Sequence, residues 1–307
     1  MSGNVVVVGS LNMDLVTRAC RLPKAGETLA GESFATVPGG KGANQAVAAA
    51  RLGARVAMIG CVGDDSYGEQ LRAALVAEQI DCQAVTTTAD VSTGIAAIVV
   101  DASSQNAIII VAGGNGLMTP KVVTRFDALL ADADVVVCQL EVPMETVCHT
   151  LTRGRELGKT VILNPAPAAA PLPAQWFPLI DYLIPNESEA AILTGIPVDS
   201  LSSAETAANA LLAAGAAKVI ITLGELGSLF ASTQGVRHYP APAVVAVDTT
   251  AAGDTFVGGF AAALAQGRNE DDAIRFGQTA AALSVTRAGA QPSIPTSREV
   301  QGFKPRG

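Results

Sequence analysis

An α/β fold with a central, mostly parallel sheet follows from two patterns in the chain. Short β-branched runs alternate with longer Ala- and Leu-rich stretches, and the runs are apolar almost without interruption, which implies a sheet covered on both faces. In order, NVVVVGS (4–10), RVAMIGCVG (55–63), DVVVCQL (134–140), TVILNPAP (160–167), DYLIPN (181–186) and AKVIITLG (217–224) each read as a strand feeding a polar or glycine-rich turn. Helical patterns lie between them: ANQAVAAARLGA (43–54), GEQLRAALVAEQ (68–79), METVCHTLTRGRELG (144–158), SEAAILTG (188–195) and AETAANALLAAGA (204–216). Several end in Gly, as helices often do.

Two regions break the βα rhythm. Residues 15–37 and 93–111 have the strand and turn content of small hairpins, with LPKAGE and DASSQN as turns. Both return to the βα pattern, so they read as excursions from one domain spanning 1–307, forming a small β layer of the kind that serves as a lid.

Composition narrows the partners. Hydrophobic residues make up 49% and charged residues 16% of 307, far from a disordered chain. A net charge of −8 without a basic patch argues against nucleic acid and anionic membranes. The N-terminus has no basic n-region, and its apolar run is too short for a signal peptide or a membrane span, so the expected location is cytoplasmic. Cys20, Cys61, Cys82, Cys138 and Cys148 lie apart with no C-x-x-C pair, which suggests neither disulfides nor zinc.

Three glycine-bearing stretches carry the chemistry. In VVAVDTTAAGDTFVGGFAAALAQG (244–267), a strand is expected to end near Thr250, AAGD to turn the chain, and a buried helix to follow, stopped by Gly267. Asp254 then lies at or within the first turn, where unsatisfied N–H groups and the helix dipole favour negative charge. It reads either as an N-cap or as a general base beside an anion site. Ala251, Ala252, Gly253, Gly258 and Gly259 are small enough to leave backbone amides open to a phosphate-sized anion. In PGGKGANQAVAAA (38–50), Gly39, Gly40 and Gly42 permit close backbone approach to a ligand, and Lys41 and Asn44 offer donors at a helix start. Lys41 is alternatively a solvated loop lysine. The pattern G-x-x-x-x-G-K-[ST] is absent, which disfavours a P-loop nucleotidase. ITLGELGSLF (221–230) adds a turn with Thr222, Gly224 and Gly227.

Together with GSLNMD (9–14), GDD (63–65), LNPAPA (163–168), PNESEA (185–190) and VTRAGAQPSIP (285–295), these stretches resemble, in order and over essentially the whole chain, the ribokinase or phosphofructokinase-B family of carbohydrate kinases. The resemblance implies a three-layer sandwich with a small β-sheet lid, ATP, Mg²⁺ and K⁺ as cofactors, and phosphorylation of D-ribose at its 5-hydroxyl. It implies Asp254 as the general base, with the 251–254 amides as the anion hole. Asn12 and Asp14 would bind sugar hydroxyls, or else form a turn after the first strand; Gly40, Lys41, Asn44 and Glu141 would complete the sugar site. Asn186, Thr222, Gly224, Gly227 and Gln278 would contact ATP, and Glu189 would act on Mg²⁺ through water. Asn186 is alternatively a helix cap. Asp248, Thr250, Ser284, Arg287, Gly289 and Ser293 would hold the monovalent cation, several through backbone carbonyls. Pairing of two lids implies a homodimer.

Two positions depart from the family pattern: AAGD replaces GAGD, and Val257 stands where asparagine is frequent. Alternative activities are a 2-deoxyribose kinase, another sugar or nucleoside kinase, and a non-catalytic sugar sensor. An Asn12 amide placed to pair with a 2-hydroxyl favours ribose.

Overall fold

Val5, Val6, Val7 and Val8 are all buried, and alternate valines enter different cores. Each buried valine contributes about 1.5–3 kcal/mol, and a strand apolar on both faces must be covered twice. That strand is β1 (Asn4–Val8). The computed structural model describes residues 3–103 and 105–304; Met1 and Ser2, Ser104 of the expected turn 101–106, and residues 305–307 lie outside the described residues.

The remaining strands are β2 (Asn12–Arg18), β3 (Ser33–Gly39), β4 (Arg55–Gly63), β5 (Val85–Thr88), β6 (Gly94–Val100), β7 (Asn106–Val111), β8 (Val135–Cys138), β9 (Thr160–Leu163), β10 (Tyr182–Leu183), β11 (Lys218–Thr222), β12 (Ser228–Ser232) and β13 (Gly235–Tyr239). The α-helices are α1 (Lys41–Arg51), α2 (Ser66–Ala77), α3 (Pro120–Arg125), α4 (Asp127–Asp132), α5 (Met144–Glu156), α6 (Glu187–Thr194), α7 (Leu201–Ala213), α8 (Ala252–Ala265), α9 (Glu270–Ser284) and α10 (Ser297–Gly302).

The large sheet has the order β13-β12-β11-β10-β9-β8-β1-β4-β5. It is parallel except for β12 and β13, which turn back antiparallel on β11. Val5 and Val7 face a core with α1, α2, α8 and α9, while Val6 and Val8 face one with α5, α6 and α7. The result is three layers, as expected.

The small sheet, β3-β2-β6-β7, contains both predicted excursions but begins earlier, at Asn12, and ends at Gly39 and Val111. The two antiparallel pairs, β2/β3 and β6/β7, join through parallel pairing of β2 with β6. One face lies bare: Phe34 is 64% and Ile109 70% exposed.

The strand expected over 244–250 is absent. No strand follows Tyr239 before α8, and Val245 and Val247 are exposed; the segment bonds instead to the turn after α9, where the Val247 and Asp248 N–H groups donate to Val285 O (2.7 and 3.2 Å). Among the described residues no helix is long and apolar enough to cross a membrane. The five cysteines are unpaired.

Candidate active site

Ligand clefts in parallel sheets form beyond the carboxyl ends of the strands, and here the turns after β1, β8, β9, β10 and β11 converge there with the starts of α1 and α8. A cleft at this edge is lined by Lys41, Asn164, Asn186, Glu189, Thr222 and the run Ala251–Asp254. A larger hollow at the opposite edge, by Asn4, Arg55 and Asp81, gathers none of the predicted residues.

The start of α8 is set by its preceding turn. Asp248 Oδ1 accepts from the Thr250 N–H (2.9 Å) and hydroxyl (2.6 Å), and Oδ2 accepts from the Gly289 N–H (2.8 Å). These bonds hold its carboxyl below the ordinary carboxylate range against the opposing effect of burial. Ala251 is the N-cap, at φ 58° and ψ 15°. This is the left-handed conformation that glycine tolerates best, so the alanine of AAGD occupies an angle that favours glycine. Gly253 has open space where a β-carbon would be; of the first-turn N–H groups, which lack intrahelical acceptors, that of Ala252 donates to Thr249 O (3.2 Å).

Asp254 is therefore the third helical residue and not the cap. It is 8% exposed. Its Oδ2 accepts from Asn44 Nδ2 (3.0 Å) and its Oδ1 from Gln45 Nε2 (2.9 Å). Asn44 Oδ1 is buried without a partner. Gly258 and Gly259 do not expose amides: β-carbons there would lie 2.5 Å from Ala48 Cβ and 3.0 Å from Leu52 Cδ1. They let α1 and α9 pack tightly on α8. Val257, also buried, lines the cleft with an apolar surface.

The start of α1 is built against the turn after β1. The Ala43 N–H donates to Ser10 O (2.9 Å) and the Gly42 N–H to Ser10 Oγ (3.2 Å). Glu141 Oε2 accepts from Ser10 Oγ (2.5 Å) and the Lys41 N–H (3.1 Å). The glycines of GGKG serve this packing, because β-carbons on Gly40 and Gly42 would lie 2.6 Å from the backbone nitrogens of Asn12 and Ser10. A β-carbon on Gly39 would meet the Asp14 carboxylate. Burial disfavours charge on Lys41, but Asp254, Glu141 and Glu189 together raise its pKa, so it is a cation facing the cleft and not a solvated loop residue. Burial, with Glu141 and Asp254 nearby, pushes Asp14 up to about 7. Asn12 Oδ1 accepts from Asn115 Nδ2 (2.8 Å), and Asn115 also brackets the Leu11 backbone. The Asn12 amide is thereby turned so that its N–H groups remain for a ligand.

On the other side, Asn186 and Glu189 form a reciprocal capping box at the start of α6 (2.8 and 2.9 Å). Both also line the cleft. Burial raises the Glu189 pKa, opposed by its bond from the Asn186 N–H and by Lys41. Thr222 bridges to Asn186 in sheet fashion and lines the cleft. Gly224, Gly227 and Gln278 lie outside that lining. Gly227 instead meets the backbone of Tyr239, and Gln278 Oε1 is buried without a partner on α9.

Among the described residues no group of three or more His, Cys, Asp or Glu side chains could enclose a metal. One cleft carboxylate, Glu189, fits an ion such as Mg²⁺ that keeps its waters and takes its other ligands from phosphate. The segments 247–250 and 284–293 adjoin, since the Val247 N–H donates to Val285 O (2.7 Å) and Gly289 to Asp248. Such adjacent turns offer carbonyl oxygens of the kind a monovalent cation needs.

Sequence reasoning did not single out Ser10, Gln45, Asn115, Gln139 and Asn164. Ser10, Asn115, Gln139 and Asn164 reach the site from 94 to 131 positions away from their partners. For Ser10, Gln139 and Asn164 the one local signal is an uncharged polar residue just after an apolar strand.

The family profile of pfkB family carbohydrate kinases matches residues 2–297. The chain is 45% identical over 304 residues to the ribokinase of Haemophilus influenzae, covering 99% of both chains. It is 40% identical over 300 residues to the deoxyribokinase of Salmonella typhi, covering 98% of both. Its structure is similar to that of Arabidopsis thaliana ribokinase complexed with ribose and ATP, with a TM-score of 0.92, 33% identity and 98% of both chains covered. A sheet of this order, a cleft at its carboxyl edge and a family match over nearly the full length lead to one assignment: the chain belongs to the pfkB family of carbohydrate kinases.

Proposed function

We propose that this enzyme is an ATP-dependent ribokinase that converts D-ribose to D-ribose 5-phosphate. The observation that carries the reading is the buried Asp254 carboxylate beside the open first turn of α8. In the transfer, the 5-hydroxyl oxygen forms a bond to the γ-phosphorus while the bond from that phosphorus to the β,γ-bridging oxygen breaks, releasing ADP. The hydroxyl proton passes to Asp254, and the 251–254 amides with the Lys41 cation offset charge on the phosphoryl oxygens. Mg²⁺, when bound through Glu189 and water, supplies further neutralisation of phosphate charge.

Asn12, Asp14, Gly40, Lys41, Asn44 and Glu141 form the proposed sugar site, and Asn186, Thr222, Gly224, Gly227 and Gln278 the nucleotide contacts. Asp248, Thr250, Ser284, Arg287, Gly289 and Ser293 are proposed to hold K⁺, stabilising the turn that sets α8. Asn12 supports ribose over 2-deoxyribose: its N–H groups, oriented by Asn115, lose a partner when the 2-hydroxyl is missing, at about 1–3 kcal/mol.

The small sheet is proposed as the lid of a single domain and, through its bare apolar face, as a homodimer contact. The five unpaired cysteines suit a reducing cytoplasm.

The test is ADP release from Mg-ATP with D-ribose or 2-deoxy-D-ribose, in K⁺ or a bulky organic cation. Potassium-stimulated turnover with the higher kcat/KM on ribose is expected. Preference for deoxyribose would overturn the substrate, and absence of turnover with either sugar would overturn the activity.

A further inference from the structure

The carboxylate of Asp254 is held from behind by a chain of buried amides. Gln45 is fully buried, so it does not reach substrate. Its Nε2 donates to Asp254 Oδ1 (2.9 Å) and to Asn164 Oδ1 (3.0 Å), and its Oε1 accepts from Gln139 Nε2 (2.6 Å). Asn164 in turn donates from Nδ2 to Ile184 O (2.8 Å).

Both far ends of this chain, a carboxylate that accepts at each oxygen and a backbone carbonyl, take hydrogen bonds as acceptors. That fixes the direction of the amides between them. Asn164 must turn its N–H groups to Ile184 and its oxygen to Gln45, and Gln45 must turn its N–H groups to Asn164 and Asp254. The Gln45 oxygen then faces Gln139, which supplies the donor. Flipping Gln45 would set its oxygen against two acceptors.

From this geometry we infer that Gln45, itself oriented by Gln139 and Asn164, is a positioning residue that holds the Asp254 carboxylate in line with the sugar hydroxyl. The inference rests on Asp254 being the base. Asn44 holds the other oxygen but is also a proposed sugar ligand, so its loss would disturb sugar binding as well. Gln45 and Gln139 have no such second task.

The test is steady-state kinetics of Gln45→Met, Gln139→Met, the double variant and Asp254→Asn, each checked for folding by circular dichroism. Gln45→Met keeps the side-chain length and removes the N–H. Its kcat is expected to fall about tenfold to a hundredfold, the scale of a misplaced reacting group, with KM for ribose and ATP unchanged within about twofold. Gln139→Met should lower kcat less, again sparing KM. The double variant should be no worse than Gln45→Met, because Gln139 acts only through Gln45.

A merely structural network would lower Tm while leaving kcat of the folded protein intact, and that result overturns the inference. Should Gln45→Met fail to fold, Gln139→Met decides: reduced kcat at unchanged KM supports the inference, and wild-type kcat overturns it. Near-normal turnover by Asp254→Asn removes the base reading and this inference together. Inactive Asp254→Asn beside fully active Gln45→Met removes the inference alone.

Discussion

At the start of α1, a β-carbon on Gly42 would lie 2.6 Å from Ser10 N and one on Gly40 2.6 Å from Asn12 N; at the start of α8, a β-carbon on Gly253 would have no neighbour within 4 Å. Both helices begin at one cleft in small-residue stretches that look alike as sequence. The first uses glycine so that a helix can sit on a strand turn, fixing Lys41, Asn44 and Gln45 through protein contacts. The second leaves its glycine bare, with open space at the helix start. A glycine's surroundings, and not its presence, tell a packed glycine from an open one.

The largest effect expected at this cleft is at Asp254. Asp254→Asn should lower kcat at least about 10²-fold in a folded protein, measured by ADP release; near-normal turnover would show that the open helix start works without a base.

The same Gly-to-Ala change should then have opposite consequences in the two regions. Gly42→Ala forces a methyl against backbone atoms at 2.6–2.8 Å, and should destabilise by about 1–3 kcal/mol in urea unfolding. Gly253→Ala has room and a helical backbone, and should gain up to about 1 kcal/mol. Gly253→Ala, and more so Gly253→Val, should nevertheless lower kcat with ribose binding by calorimetry intact. Equal stability changes at the two sites would break the comparison.

Asp14 sharpens it by charge. The folded protein holds that proton up to about pH 7, whereas the unfolded chain releases it near 3.8. The folded state thus binds more protons between those values, and stability falls as pH rises through that window. Melting of the ligand-free protein at pH 5 and pH 8 should show a drop that Asp14→Asn reduces; an identical drop in the variant would contradict the raised value.

The smallest effect is at Ala251. Glycine relieves a left-handed strain of about 1–2 kcal/mol but adds freedom to the unfolded chain worth about 0.4–1 kcal/mol. Ala251→Gly should therefore raise stability by about 1 kcal/mol or less, and a loss of stability would show that the angle costs nothing here.

Much of the fold was readable because its elements are local patterns. Continuous valines in β1, helices stopped by Gly, and the two interruptions of the βα rhythm all predicted what the chain forms. The error at 244–250 has the same origin: VVAV has the composition of a strand, yet context decides pairing, and the backbone at 247–248 bonds to Val285 rather than to a sheet neighbour. In the site, AAGD and GGKG located both helix starts. What their glycines face was not readable: Gly253 has open space, whereas Gly40, Gly42, Gly258 and Gly259 lie against protein atoms, because the space around a missing β-carbon is created by distant residues.

By itself the sequence determined the layer type, the acidic balance, the cleft residues borne on its glycine motifs and the family resemblance, since these rest on residue order and composition. Only the tertiary structure decided that Asp254 is no cap, that Asn115 turns Asn12, and that Gln139 and Asn164 orient Gln45 behind the carboxylate. A side chain's hydrogen-bond direction is settled by partners a hundred or more residues away, and spacing along the chain carries no record of which amide end will meet which acceptor.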